Sequence, residues 1–180
     1  MIEIINCSRQ AICVIPAAIG ECKRILFLDR DGVINIDTGY PGPQHLQYNE
    51  NIIRLIKEYQ ENYLIDSCFI VTNQSGVARG LLTYREAICA THLCHQYLLK
   101  NNIPVVGYCI DFTHPEKSVF RRLSGFSNFR KPNSGMITLA GNKISTKYDP
   151  KECFLIGDKP TDIQAALSAG IPVDHTLLLA

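Results

Sequence analysis

Short apolar runs alternate with amphipathic stretches along most of the chain, the pattern expected of a parallel sheet with helices packed on its faces. Arg24-Ile25-Leu26-Phe27-Leu28 reads as a buried strand ending at Asp29. Residues 67–72 and 152–157 read as two more, and residues 105–110 as a fourth candidate. Helices are predicted over residues 50–61, 83–100, 134–144 and 161–169. In the second helix Ile88, Leu93, Leu98 and Leu99 can share a buried face, and Thr83 and Glu86 have the spacing of a capping box. The last helix stops at Gly170. The first three strands each end in a polar cluster, where an open α/β sheet places its ligands. Two regions fall outside the pattern. Residues 1–23 are expected to add an edge strand or to extend from the domain, and residues 111–130 read as a long loop.

Composition narrows this picture. A length of 180 residues suits one domain, here residues 24–180 behind the N-terminal segment 1–23, and 46% hydrophobic with 19% charged residues is ordinary for a folded chain. A formal net charge of +1 provides no field to gather nucleic acid, and Arg121-Arg122 reads as a solvated pair. The first residues lack a basic export signal, and no run reaches the roughly 20 apolar residues that span a bilayer. The eight cysteines are therefore expected as reduced, mostly buried thiols in a cytoplasmic, monomeric protein without membrane partners.

Asp29 and Asp31 stand two apart, so in extended backbone both carboxylates project to one side while Arg30 points away. Two acids past a buried strand suit hydrolysis of a phosphate ester. One attacks phosphorus; the other protonates the leaving oxygen and then activates water. Such a site needs a hard cation, and oxygen ligands favour Mg²⁺. Taken singly, each polar cluster has an ordinary structural explanation: Thr72 and Asn73 as a helix cap, Gly157-Asp158 as a turn, Arg130-Lys131-Pro132 as a surface pair.

Taken in order, Asp29-Arg30-Asp31-Gly32-Val33, Val71-Thr72-Asn73-Gln74-Ser75-Gly76, Arg130-Lys131-Pro132 and Ile156-Gly157-Asp158-Lys159 with Asp162 resemble the four motifs of the haloacid dehalogenase (HAD) superfamily. The resemblance covers roughly residues 24–172 and implies a Rossmann-like three-layer αβα sandwich. It implies that Asp29 is the nucleophile forming an aspartyl-phosphate and Asp31 the general acid/base. Thr72 would bind the transferring phosphoryl group, with Asn73 beside it, and Lys131 would balance its charge. Mg²⁺ would be held by Asp29, Asp158 and the backbone carbonyl of Asp31. Within the superfamily, residues 27–35, then Asp37-Thr38-Gly39-Tyr40 and residues 72–80, resemble the small phosphatases acting on D-glycero-D-manno-heptose 1,7-bisphosphate and on histidinol phosphate, with Ser75 favouring the heptose branch. That likeness places Asp37, Gly39, Tyr40, Asn73, Gln74, Ser75, Arg130 and Lys159 around a small phosphorylated sugar.

The chain also departs from these relatives. Many carry zinc between the second and third motifs, held by a Cys-x-His pair and a later Cys-x-Cys. Here Cys109 and His114 match in part, but Ser127 and Phe129 replace the later pair, so no zinc is expected and Phe120, Phe126 and Phe129 are expected to pack the loop. Cys89, His92, Cys94 and His95 cluster on a predicted helix, where buried thiols and surface histidines are the ordinary outcome. The short stretch after Gly170 is expected to lack most of the family's last strand and helix. Asp29 and Thr72 are too close in sequence for a large cap domain between them, so short loops must set specificity. Alternative readings are a histidinol-phosphate phosphatase, a polynucleotide 3'-phosphatase suggested by Gly76 to Gly80 and Lys131 to Met136, and a pseudophosphatase; the last is disfavoured because every residue the chemistry needs is present.

Overall fold

All four strands marked by the apolar runs form, and they lie side by side in one sheet. The computed structural model describes residues 2–7, 10–16 and 22–179. In chain order the described elements are β1 (Ile2–Cys7), β2 (Ala11–Pro16), β3 (Ile25–Leu28), α1 (Glu50–Tyr63), β4 (Ser67–Asn73), α2 (Tyr84–Lys100), β5 (Val105–Asp111), α3 (Gly135–Ile144), β6 (Phe154–Gly157), α4 (Pro160–Ala169) and β7 (Thr176–Leu178). The strands follow the order β1-β2-β5-β4-β3-β6-β7. Pairing is antiparallel from β1 through β5 and parallel across the rest.

Alternation along β3 explains the layers. Leu26 and Leu28 face Ile52 and Ile56 of α1 and Leu98 of α2, whereas Ile25 and Phe27 face Met136, Ile137 and Ala140 of α3 and Ala165 and Ala166 of α4. Both faces are covered, so β3 is apolar throughout rather than alternating with polar residues. The result is a three-layer αβα sandwich with the C-terminal ends of β3, β4 and β6 opening on one edge.

Local signals set the helix ends. Thr83 Oγ1 accepts from Glu86 N at 3.2 Å and Glu86 Oε2 accepts from Thr83 N at 2.8 Å, closing the expected capping box. Gly170 ends α4 with φ of 93°. The buried face of α2 differs from expectation: Ala87, Ala90, Thr91, Cys94 and Leu98 turn inward, and Leu99 lies outside, 47% exposed. Helical spacing carries residue 99 past the stripe that residues 87, 91, 94 and 98 define.

The chain ends of the sheet also correct expectation. Residues 1–23 supply two strands, and β2 lies between β1 and β5, so β1 is the edge. The stretch after Gly170 still provides β7, which pairs with β6 through Leu155 and Thr176. Insertion of β2 makes Cys13 and Cys109 direct cross-strand partners, and their buried sulfurs are bonded to each other. Uniformly reduced thiols are therefore not what the structure shows; Cys22, Cys68, Cys94 and Cys153 are free and buried, and Cys89 is free and exposed.

That bond also takes up the sulfur of Cys109, which lies in β5 just before the 111–130 loop. His114 instead accepts at Nδ1 from the backbone N–H groups of Glu116 and Lys117, at 3.1 and 2.9 Å. The expected aromatic packing holds only for Phe129, since Phe126 is 92% exposed and Phe120 also faces outward. Buried Leu123 anchors the loop, with hydrogen bonds from His114 N to Leu123 O at 3.1 Å and from Arg130 Nη1 to Thr113 O at 2.6 Å. Among the described residues no helix is long and apolar enough to cross a membrane.

The contact between β2 and β5 depends on Gly107. A Cβ there would lie 2.2 Å from the carbonyl oxygen of Val14 and 2.9 Å from the Phe69 ring. Backbone cannot rotate aside as a side chain can. Gly107→Ala is expected to destabilise the fold by about 1–3 kcal/mol, read as a lower denaturant midpoint. An unchanged midpoint would contradict the close seating of β2 on β5.

Candidate active site

Asp29 sits just beyond β3, where its backbone N–H donates to Ile156 O at 3.0 Å and so fixes it beside β6. Its carboxylate meets Lys131, whose Nζ donates to Asp29 Oδ1 at 2.5 Å, to Val71 O at 2.8 Å and to Asp162 Oδ1 at 2.6 Å. Lys131 is only 3% exposed. Burial works against its charge, but Asp29 and Asp162 override that and hold the ammonium above its ordinary pKa. Burial also pushes the Asp29 carboxyl up, against the pull of Lys131. The Asn73 side chain clamps the Lys131 peptide from both sides, donating to its carbonyl at 3.0 Å and accepting from its N–H at 3.1 Å. Asn73, expected at the substrate, thus positions Lys131.

The geometry around Asp31 differs from the extended alternation read from sequence. The chain turns at Arg30, whose carbonyl accepts from Ile34 N and Asn35 N at 2.8 and 3.1 Å. The Arg30 side chain does not point away. It is fully buried, and its Nε and Nη2 both donate to Asp31, at 3.0 and 2.7 Å, while Nη1 donates to Thr91 Oγ1 at 3.2 Å. Asn35 Nδ2 and Gln74 Nε2 add donors to Asp31 at 2.9 and 2.7 Å. Burial alone would raise Asp31, yet the Arg30 guanidinium and these amides hold it below the usual carboxylate pKa.

Gln74 also differs from expectation: it is fully buried and braces Asp31 from within rather than lining open space. Its Nε2 donates to Thr72 Oγ1 as well, at 2.9 Å, which leaves the Thr72 hydroxyl hydrogen for another acceptor.

The remaining polar residues form a rim. Lys159 Nζ donates to Asp37 Oδ2 at 3.0 Å and lies 3.4 Å from Asp158 Oδ2, while Asp37 Oδ1 accepts from Gly39 N at 3.0 Å. Tyr40 OH lies 3.2 Å from Ser75 Oγ and accepts from Arg79 Nη1 at 2.8 Å. Arg130 faces the loop, with Nη1 on Thr113 O and 4.0 Å from buried Asp111.

Asp29, Asp158 and Asp162 each bring a carboxylate oxygen within 4.8 Å of the others. Both Asp162 oxygens already have partners, Lys131 for Oδ1 and Lys159 N for Oδ2. Asp158 Oδ1 is buried with no hydrogen-bond partner. Lys131 pairs with Asp29 and Asp162 and Lys159 is shared between Asp158 and Asp37, so two ammonium groups face four carboxylates, and the orphaned hard oxygen of Asp158 in that surplus negative charge suits a divalent cation. The residues therefore fit a metal, with Asp29 and Asp158 as the side chains free to hold it. Gly32 makes room: its φ is 82°, and a Cβ there would stand 2.3 Å from Asp158 Oδ2.

Sequence reasoning missed four contributors. Asp162 stands in a motif without a role, Asn35 and Arg79 enter only as parts of the stretches that carry the resemblance, and Arg30 is read as pointing away from the two acids. Only Arg30 carried a usable signal, since a cation between two acids in a turn can fold back on either one.

The HAD-hydrolase-like family model matches residues 128–176, from the loop before Lys131 to the start of β7. The chain is 34% identical over 81% of its length to the D-glycero-beta-D-manno-heptose-1,7-bisphosphate 7-phosphatase of Yersinia pestis, covering 76% of that protein. It is 36% identical over 87% of its length to the D-glycero-alpha-D-manno-heptose-1,7-bisphosphate 7-phosphatase of Burkholderia mallei, covering 80% of that protein. The crystal structure of D,D-heptose 1,7-bisphosphate phosphatase from B. bronchiseptica, complexed with magnesium and phosphate, superposes with a TM-score of 0.68 at 25% identity, covering 86% of this chain and 79% of that one. By its identity to these relatives over most of both chains, the chain belongs to the HAD-like phosphatases, in the family of the D-glycero-D-manno-heptose-1,7-bisphosphate 7-phosphatases.

Proposed function

We propose that this phosphatase hydrolyses D-glycero-D-manno-heptose 1,7-bisphosphate to the 1-phosphate and inorganic phosphate, through an aspartyl-phosphate on Asp29 and with Mg²⁺. The observation that carries the chemistry is the Lys131 ammonium held at 2.5 Å from Asp29 beside the unpartnered oxygen of Asp158. The substrate follows from the relatives' names. These name both the alpha and the beta anomer, so the reading commits to the bisphosphate and not to an anomer.

In the first half-reaction an Asp29 oxygen forms a bond to phosphorus as the bond to the sugar oxygen breaks, and Asp31 gives that oxygen a proton. Asp31, ionised in the free site, takes up that proton from solvent as the negatively charged substrate binds beside it, and is ionised again once the proton is given to the leaving oxygen. In the second half Asp31, again ionised, takes a proton from water as that water attacks phosphorus and the bond to Asp29 breaks. Lys131 and the Thr72 hydroxyl stand at the phosphoryl oxygens throughout. Mg²⁺, held by Asp29, Asp158 and the Asp31 carbonyl, would supply charge neutralisation for phosphate and carboxylates. The rim of Asp37, Tyr40, Ser75, Arg130 and Lys159 would orient the sugar.

A phosphate-release assay tests the substrate. The heptose bisphosphate is expected to turn over with a higher kcat/KM than histidinol phosphate, 3'-phosphorylated DNA or a generic aryl phosphate, and a ranking led by any of those overturns the assignment. Asp29→Asn is expected to lower kcat by at least ~10³-fold; phosphate release at the unaltered rate would show that Asp29 is not the nucleophile. Treatment with EDTA is expected to abolish turnover and added Mg²⁺ to restore it, since the carboxylate charge that Lys131 leaves unbalanced then repels the phosphate dianion. Full activity after exhaustive chelation would refute the metal requirement.

A further inference from the structure

Most cations near the site already have acidic partners. Lys131 lies between Asp29 and Asp162, Arg30 on Asp31, and Lys159 between Asp37 and Asp158. Arg130 has Asp111 at 4.0 Å. Arg79 differs. It is half-buried, its guanidinium carbon lies 5.2 Å over the Tyr40 ring, and its Nη1 donates to the neutral Tyr40 hydroxyl. No carboxylate pairs with it among the described residues.

A guanidinium mounted on an aromatic face with a phenol as its hydrogen-bond partner is oriented but not neutralised. Its free donors keep the fork geometry that suits phosphate oxygens. The mount is tied to the reacting centre through a short chain of contacts. Gln74 touches Asp31, Ser75 follows Gln74 in sequence and bonds Tyr40, and Arg79 N donates to Ser75 O at 3.1 Å, closing one turn. Partial burial, then the charges of Arg130, Arg79 and Lys117, hold the His114 ring below its ordinary pKa against the opposing pull of Glu116, so Arg79 and Arg130 both reach this part of the rim.

We infer that Arg79, mounted on Tyr40, is a specificity-determining residue that binds the second, non-reacting phosphate of a bisphosphate substrate. The reacting phosphate is taken by Lys131 and Thr72, so an additional anion-binding group at the rim is superfluous for a monophosphate ester. Arg79 therefore separates bisphosphates from monophosphates. This rests on the sugar bisphosphate reading given above.

The test compares Arg79→Gln with the unaltered enzyme on heptose 1,7-bisphosphate and on a sugar carrying a single primary phosphate. The ratio of kcat/KM for bisphosphate over monophosphate is expected to fall by about tenfold, the size of one lost charge-assisted hydrogen bond. The change should lie in KM rather than kcat, and the inhibition constant of the heptose 1-phosphate product should rise by a similar factor. Arg79→Lys, which keeps charge but loses the fork, is expected to fall between the two. Tyr40→Phe, which keeps the ring but removes the orienting hydroxyl, should give a smaller loss in the same direction and serves if Arg79→Gln does not fold. An equal loss on both substrates, a loss confined to kcat, or an unchanged ratio in the folded variants overturns the role of Arg79. If the unaltered enzyme itself shows no preference for the bisphosphate, the substrate reading falls, and the inference falls with it.

Discussion

The Lys131 ammonium is the point on which the site depends. Removing such a group from water carries a penalty of several kcal/mol, and one carboxylate rarely offsets it. Here Asp29, Asp162 and the Val71 carbonyl surround it, so β3, β4 and the first turn of α4 all meet at one nitrogen. Asn73 fixes the Lys131 backbone as firmly as the acids fix its tip. A phosphoryl group entering this space meets a cation that has no freedom to reorganise, which is the condition under which electrostatic stabilisation is strongest.

The two acids of the first motif are tuned by opposite arrangements. Asp29 faces the shared pocket, with burial and neighbouring carboxylates raising it and only Lys131 opposing them. Asp31 is backed by Arg30, Asn35 and Gln74, a set of donors that favours its ionised form. The turn at Arg30 produces this division. Extended backbone would place both carboxylates in one environment; the turn lets the intervening side chain fold back on Asp31. Distinct environments let two identical side chains perform distinct work.

Much of this was legible in the sequence because it rests on continuous, local signals. Buried strands such as Ile25–Leu28, the Thr83 and Glu86 capping box and the order of the four polar clusters each depend on neighbours along the chain. What escaped depends on partners far away in sequence. Asn73 and Gln74 have the residue types of substrate contacts, yet both are taken up by neighbours inside the site. Leu99 has the composition of a core residue and the phase of a surface one. The Cys13 to Cys109 bond requires β2 to insert beside β5, and nothing in residues 1–23 states which strand they will join.

The absence of a large cap between β3 and β4 places selectivity on residues that must be held rigid by other means. Tyr40 is stacked under Arg79 and tied to Ser75, with φ of 53° that only a fixed turn sustains in a bulky residue. Arg130 is braced from behind by the Thr113 carbonyl, and the loop carrying Thr113 is anchored in turn by Leu123. Tyr40 and Arg130 thus acquire their orientation from neighbouring side chains and backbone, whereas Lys159 and Asp37 hold each other at the surface. A site built this way holds fixed charge at an open mouth and does not enclose what enters it.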